Sequence, residues 1–179
     1  MVGEKNNLSD REILKDIFFN SLQHADPLAK LIQIEFKKPI GRVFFVAVGK
    51  GAGRHAKAFL EHYSGSSEGL VIHPENEWCE DIGFKVFKAS HPVPSISGLE
   101  ASKFLSKEAK RLGKDDLMIF CISGGASALL PYPPEGFNLD DEICLNKVLL
   151  TSGLSIKDMN VYRSAFSQIK AGKLAQMAY

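Results

Sequence analysis

Leu117-Met118-Ile119-Phe120-Cys121-Ile122-Ser123-Gly124-Gly125-Ala126-Ser127-Ala128-Leu129-Leu130 is the stretch that decides the fold. An unbroken apolar run stops abruptly in small residues, and larger apolar residues return at Leu129. Such a run, bounded by turn residues, has the composition of a strand buried in a parallel sheet. The small residues after it predict a loop that opens a helix. In α/β proteins, loops at the carboxyl ends of strands hold ligands. Gly124 and Gly125 let the backbone come close to a ligand, Ser123 and Ser127 add hydroxyls, and a helix start offers free N–H groups to an anion. The stretch therefore predicts a phosphate or carboxylate site. The alternative is a strand-to-helix turn in which small residues only permit close packing.

Outward from this stretch, strands alternate with helices. Ser9-Asp10-Arg11-Glu12 has the capping-box pattern, and Ile13, Leu14, Ile17, Phe18 and Leu22 follow at helical spacing, predicting a helix from Asp10 to Gln23. A second, shorter helix is expected from Pro27 to Ile34. Arg42–Val48 reads as a strand, Gly49–Gly53 as a turn and Arg54–Tyr63 as a helix. Gly69–His73 and Phe84–Lys88 read as further strands. Ser90–Ser95 is an extended loop, because each proline biases its predecessor away from helix. Ser97–Leu112 is a helix stopped at Gly113, and Asp116–Ile122 is the next strand. Asn138 caps a helix that Gly153 ends, and a last helix starts near Asp158. This alternation predicts an α/β fold with a mainly parallel central sheet, a Rossmann-like αβα sandwich.

The chain has 179 residues, enough for one domain with a real core. With 45% hydrophobic and 24% charged residues, its composition is that of a soluble globular protein. A net charge of +1 gives no bulk basicity to attract nucleic acid. Cys79, Cys121 and Cys144 never form a C-x-x-C pair, which fits a reducing cytoplasm and argues against a disulfide framework or structural zinc. No residue cluster has metal-ligand spacing. The polar N-terminus contains no signal peptide, and no segment reads as spanning a membrane.

Three further constellations can carry chemistry. Gly49-Lys50-Gly51-Ala52-Gly53 ends a strand and starts a helix. Its spacing is neither the dinucleotide pattern, whose last glycine position is here Arg54, nor a Walker A loop. Lys50 in this setting can reach a bound phosphoryl group as a point charge, or it is a solvated lysine on a tight turn. Near the C-terminus, Asn160, Arg163, Ser167 and Lys170 fall within an arc of roughly 80° if the chain stays helical. That face suits a polyphosphate or carboxylate, or is an ordinary solvated face. In the His91-Pro92-Val93-Pro94 loop, the histidine either orients a substrate or caps a turn.

Taken in order, these motifs resemble the N-terminal part of the type 2 glycerate kinases, a family often labelled hydroxypyruvate reductases. The resemblance rests on Val48–Gly53, His91–Pro94, Ile122–Leu130, Leu149–Ile156, Met159-Asn160, Arg163 and Ser167–Ala175, and covers nearly the whole chain. It implies ATP-dependent phosphorylation of D-glycerate to 2-phosphoglycerate, with ATP and Mg2+ as cofactors and Lys50 as the catalytic residue. Gly49, Gly51, Gly53, His91, Ser123, Gly124, Gly125, Ser127, Asn160, Arg163, Ser167 and Lys170 would hold phosphates or substrate. It also implies a cytoplasmic enzyme, admits a homo-oligomer, and leads to the expectation that residues 1–179 are a truncated N-terminal domain whose second domain is absent. The sequence departs from the family pattern at Ser90, Ser95, Ser164, Ala165 and Ala171, where the family carries glycine, an acid, a basic residue, histidine and glycine. Two alternatives follow. One is an inactive remnant that binds a small anion or a protein. The other is an NAD(P)H-dependent hydroxypyruvate reductase, for which Glu75 stands near the position of a ribose-binding acid.

Overall fold

A computed structural model of the chain describes residues 9–26, 39–77, 79 and 81–178. Helix α1 (Asp10–His24) starts at the expected capping box: the Ser9 hydroxyl accepts from the Glu12 N–H, and the Glu12 carboxylate accepts from the Ser9 N–H. The helix expected over Pro27–Ile34 lies outside the described residues. Strand β1 (Val43–Val48) feeds α2 (Ala52–His62), followed by β2 (Glu68–Pro74), β3 (Lys85–Ala89) and α3 (Ile96–Ala109). Strand β4 (Leu117–Ile122) leads into the short α4 (Ala126–Leu129), then α5 (Leu139–Thr151), α6 (Ile156–Ala165) and α7 (Lys173–Met177).

The four strands form one all-parallel sheet in the order β3-β2-β1-β4. From β1 the chain steps outward through β2 to β3, then crosses back to place β4 on the other side of β1. The direction of winding therefore reverses between β1 and β4, and in an open α/β sheet that switch point opens a crevice at the strands' carboxyl ends.

Side chains alternate across the sheet and build two cores. On one face Val43, Phe45, Ala47 and Val71 pack against Ala52, Ala56 and Phe59 of α2. The alanines let the helix lie close, and Phe59 stacks on Phe45 with ring centroids 4.2 Å apart. On the other face Phe44, Val46, Val48, Leu70 and Ile72 pack against Ala101 and Leu105 of α3, with Leu129, Leu130 and Ile169 completing the layer. This is the αβα sandwich that the alternation predicts.

Three expectations need correction. Strand β4 is not buried inside the sheet but lies at its edge, so its residues are half-covered and Ile122 is 67% exposed. Among the described residues its apolar run has a neighbouring strand on one side only. The helix that the Ser123–Ser127 loop opens is only one turn long and ends at Leu129. The last helix stops at Ala165, and the chain turns through left-handed conformations at Ala171 (φ 54°) and Gly172 (φ 84°) before α7. The family's glycine would sit at Ala171 without the strain that a Cβ meets there.

At the other end of the sheet one carboxylate holds β1 and β4 in step. Asp116 accepts from the Arg42 N–H at 2.6 Å and from the Gly113 N–H at 2.9 Å. These N–H bonds, Gly113 first, keep its carboxyl below the usual aspartate range, with smaller help from the Arg42 guanidinium. A depressed carboxyl contributes stability that is present in full above its unfolded pKa of about 4 and is lost as pH falls through the folded value. Asp116→Asn is therefore expected to lower the melting temperature at pH 7, with the gap to wild type closing as pH drops below about 4. A pH-independent gap in thermal melts would contradict this assignment.

Candidate functional site

The site forms where the turns after β1 and β4 meet. Gly49 has φ 116°, and a Cβ added to it would lie 2.3 Å from the Ser123 hydroxyl and 2.6 Å from the Ser123 carbonyl oxygen. Only a glycine admits that approach. The Ser123 N–H and hydroxyl both donate to the Val48 carbonyl, at 2.9 and 3.1 Å, while the hydroxyl accepts from the Gly51 N–H at 2.9 Å. The Lys50 N–H donates to the Gly124 carbonyl at 2.8 Å. Four hydrogen bonds thus lock the two turns into one unit.

This bracing decides what the unit can offer a ligand. The Ser123 hydroxyl is committed to the protein, so its role is structural rather than the free donor that the sequence suggests. Lys50 is exposed, and among the described residues its ammonium has no hydrogen-bond or ion-pair partner. Gly51 is the N-cap of α2 and supplies no side-chain cap, leaving the helix start open. Gly124 faces open space, and Ser127 is exposed. Gly53 serves packing instead. A Cβ there would meet the Cys79 Sγ at 3.1 Å, so the glycine allows a close approach under the turn. His55, one turn into α2, has a buried Nδ1 with no partner among the described residues, and burial pushes its pKa down.

The His91 loop closes a second side. His91–Pro92 is a cis peptide bond, and Gly125 (φ 89°) would bring a Cβ to 3.0 Å from the His91 ring. The exposed imidazole therefore lies against the Ser123–Gly125 loop. Two of the departures from the family pattern find a structural use here. Ser95 caps α3 by accepting from the Gly98 N–H and also accepts from the Ser90 N–H at 3.1 Å. The Ser90 hydroxyl donates to Glu75 at 3.3 Å, so that carboxylate is engaged with this loop.

The four residues expected on one C-terminal face do not share one helix, although Arg163 bonds Asn160 and its charge is felt by Lys170. Because α6 ends at Ala165, Ser167 and Lys170 leave the helix that carries Asn160 and Arg163. Ser167 is buried and accepts from the Ile169 and Lys170 N–H groups, holding a turn. Arg163 donates to Asn146 at 2.9 Å and to Asn160 at 3.3 Å. Lys170 donates to the Leu130 carbonyl at 3.0 Å and to Glu142 at 3.2 Å. Glu142 stands in the first turn of α5, where an acid would ordinarily face the helix N-terminus, but Asn138 and Asp141 form the capping box and Glu142 points inward. Its signal was its spacing: Glu142 and Asn146 stand four apart on one helical face. Burial raises the Glu142 pKa and lowers that of Lys170, each partner opposing the shift of the other.

Residues 13–179 match the model of the domain of unknown function DUF4147. The chain is 33% identical, over 97% of its own length and 40% of the relative's, to an Agrobacterium vitis protein provisionally named hydroxypyruvate reductase. It is 34% identical to the D-glycerate 2-kinase of Thermotoga maritima, covering 80% of this chain and 35% of that one. A crystal structure of glycerate kinase from Thermotoga maritima superposes with a TM-score of 0.81 at 30% identity, over 92% of this chain and 40% of that one. The chain thus spans some 35–40% of the length of these curated relatives.

Taking one member from the buried Glu142–Lys170 pair strands the other charge. Glu142→Ala is expected to cost about 3–5 kcal/mol of unfolding free energy at pH 7, whereas Glu142→Leu with Lys170→Met recovers most of it. Urea denaturation of both variants checks this; a single variant within about 0.5 kcal/mol of wild type would contradict it.

Proposed function

The chain belongs to the DUF4147 family, the N-terminal domain of glycerate 2-kinases, and from that premise we propose that it carries the phosphoryl-handling site of an ATP-dependent D-glycerate 2-kinase. The observation that supports this most is Lys50: an exposed cation, unpartnered among the described residues, on a glycine turn braced at the sheet's switch point. In the reaction the γ-phosphoryl group passes from ATP to the 2-hydroxyl oxygen of D-glycerate; the hydroxyl loses its proton and ADP departs. Such a transfer asks for positioning and charge neutralisation more than covalent chemistry.

The Lys50 ammonium is suited to the charge on the transferring phosphoryl oxygens, where a fixed cation is worth more than in water. The Lys50–Gly124 hydrogen bond orients the backbone beneath it, so the side chain starts from a rigid base. The small residues at Gly51 and Gly124 allow phosphate oxygens to come close, and the uncapped start of α2 adds N–H groups that favour an anion. His91, on the far side of the Ser123–Gly125 loop, is a candidate for orienting glycerate. Arg163 and Lys170 have protein partners and belong to the supporting structure in this reading. Among the described residues no group of three or more His, Cys, Asp or Glu side chains could hold a metal ion by itself, and Mg2+ would enter with ATP, held mainly by its phosphates. No step is therefore assigned to Mg2+.

The test follows D-glycerate, ATP and Mg2+ by phosphorus NMR. Formation of 2-phosphoglycerate, with kcat/KM lowered about 10²–10³-fold by Lys50→Ala, is the expected outcome. Cofactor oxidation with hydroxypyruvate and no phosphoryl transfer would replace this reading with the reductase. Binding of inorganic phosphate without turnover of either kind would favour the binding module.

A further inference from the structure

The start of α2 carries a polar side chain beside the Lys50 turn that neither the bracing nor the helix cap employs. Side chains on a helix lean toward its N-terminus, so His55 reaches back one turn over Gly51. A Cβ built on Gly51 would lie 3.5 Å from the His55 Cε1 and 3.5 Å from both the Cβ and the Oγ of Ser123. Gly51 is therefore the spacer between the imidazole and the β4 loop. The ring edge that carries Cε1, between the two nitrogens, faces the turn. The two nitrogens differ in surroundings. Nδ1 is enclosed and has no partner among the described residues, whereas Nε2 is not enclosed, so the half-buried ring keeps one nitrogen within reach of a ligand.

The empty site favours a neutral ring. The Gly51 carbonyl supports the protonated form, but burial opposes it more strongly. The charges nearby are of the wrong sign to help. Lys50 precedes Gly51 on the turn, and the positive end of the α2 dipole lies beside the ring. Arg54, next to His55 on α2, is paired with Asp26. The β4 loop brings the Ser123 hydroxyl and no charged group, Cys79 lies under Gly53, and His91 packs on Gly125. A dianion on the turn reverses this balance, because an opposite charge within about 4–6 Å favours the imidazolium.

We propose that His55 is a further anion-binding residue of this site: a dianionic oxyanion such as a phosphoryl group, docked on the Lys50 turn, draws a proton from water onto the His55 Nε2, and the N–H so formed binds it. Anion binding and proton uptake are thereby coupled. The inference rests on the reading of the two turns as a phosphoryl site. The ring starts below the ordinary histidine pKa of about 6.5 and is raised by the anion. Affinity therefore rises as pH falls through the anion-bound value and levels off below the empty-site value.

Sulfate at constant ionic strength is the probe, because it keeps both charges across the range and leaves the titration to the protein. The His55 Cε1–H resonance is followed against pH with and without saturating sulfate. The midpoint is expected to rise by about one pH unit with sulfate, and the sulfate Kd to be about tenfold lower at pH 5.5 than at pH 8. His55→Gln removes most of that pH dependence, His91→Gln retains it, and Lys50→Ala returns the His55 midpoint to its sulfate-free value. The resonance is read in the unaltered protein, so the central result does not depend on how the variants fold. A midpoint that sulfate leaves unmoved, while the Lys50, Gly51 and Gly124 amides shift to saturation, overturns the proposal and leaves the phosphoryl site standing. A pH dependence that survives in His55→Gln and vanishes in His91→Gln also overturns it, assigning the proton to the other imidazole. Sulfate that shifts none of those amides removes the site and the proposal together.

Discussion

The close approach of the β1 and β4 turns is the constraint on which the rest depends. Gly49 lies so near Ser123 that a methyl group has no space, and the Ser123 hydroxyl bonds across the gap in both directions. These contacts join two strands that stand far apart in sequence. They fix the switch point of the sheet, set the start of α2 and aim Lys50 outward. The His91 loop then rests on the same unit through Gly125, so three strand ends contribute to one surface.

The forces behind the site and behind the fold are different in kind. The sandwich is held by apolar burial, with β1 covered on both faces and the Phe45–Phe59 stack at the centre of one of them. Polar groups add registration rather than bulk stability. Asp116 keeps the strand starts level, and Ser95 joins the His91 loop to α3. The Glu142–Lys170 pair is costly to bury and tolerable only because each charge answers the other. It fixes α5 to the turn before α7.

Much of the fold was legible in the sequence because local signals and tertiary structure agree. Ser9 and Glu12 make the capping box that their spacing predicts, and the Val-Phe run of β1 and the Leu70–Ile72 run of β2 become the buried strands. The turn at Gly49–Gly53 stands where strand and helix patterns meet. The edge position of β4 was hidden, because an apolar strand reads the same whether its second neighbour is present or not. The break after Ala165 was hidden too: Asn160 to Lys170 keeps a helical period in the sequence, yet the helix ends at Ala165 and the chain has already left it before the left-handed turn at Ala171 and Gly172. The site residues divide along the same line. Lys50 and the glycines could be found from their place at a strand end, whereas the bracing role of Ser123 and the inward turn of Glu142 depend on contacts distant in sequence.

The central claim is that the two locked turns act as one receptor for phosphoryl groups, with Lys50 as its charge. Titrating the 15N-labelled protein with ATP and following its amide resonances tests this most directly. The account predicts that Lys50, Gly51, Ala52, Gly124 and Gly125 shift together along one saturation curve, and that Lys50→Ala weakens the whole set. Shifts confined to the Arg163 and Lys170 region, or shifts at the two turns that saturate independently, would contradict it.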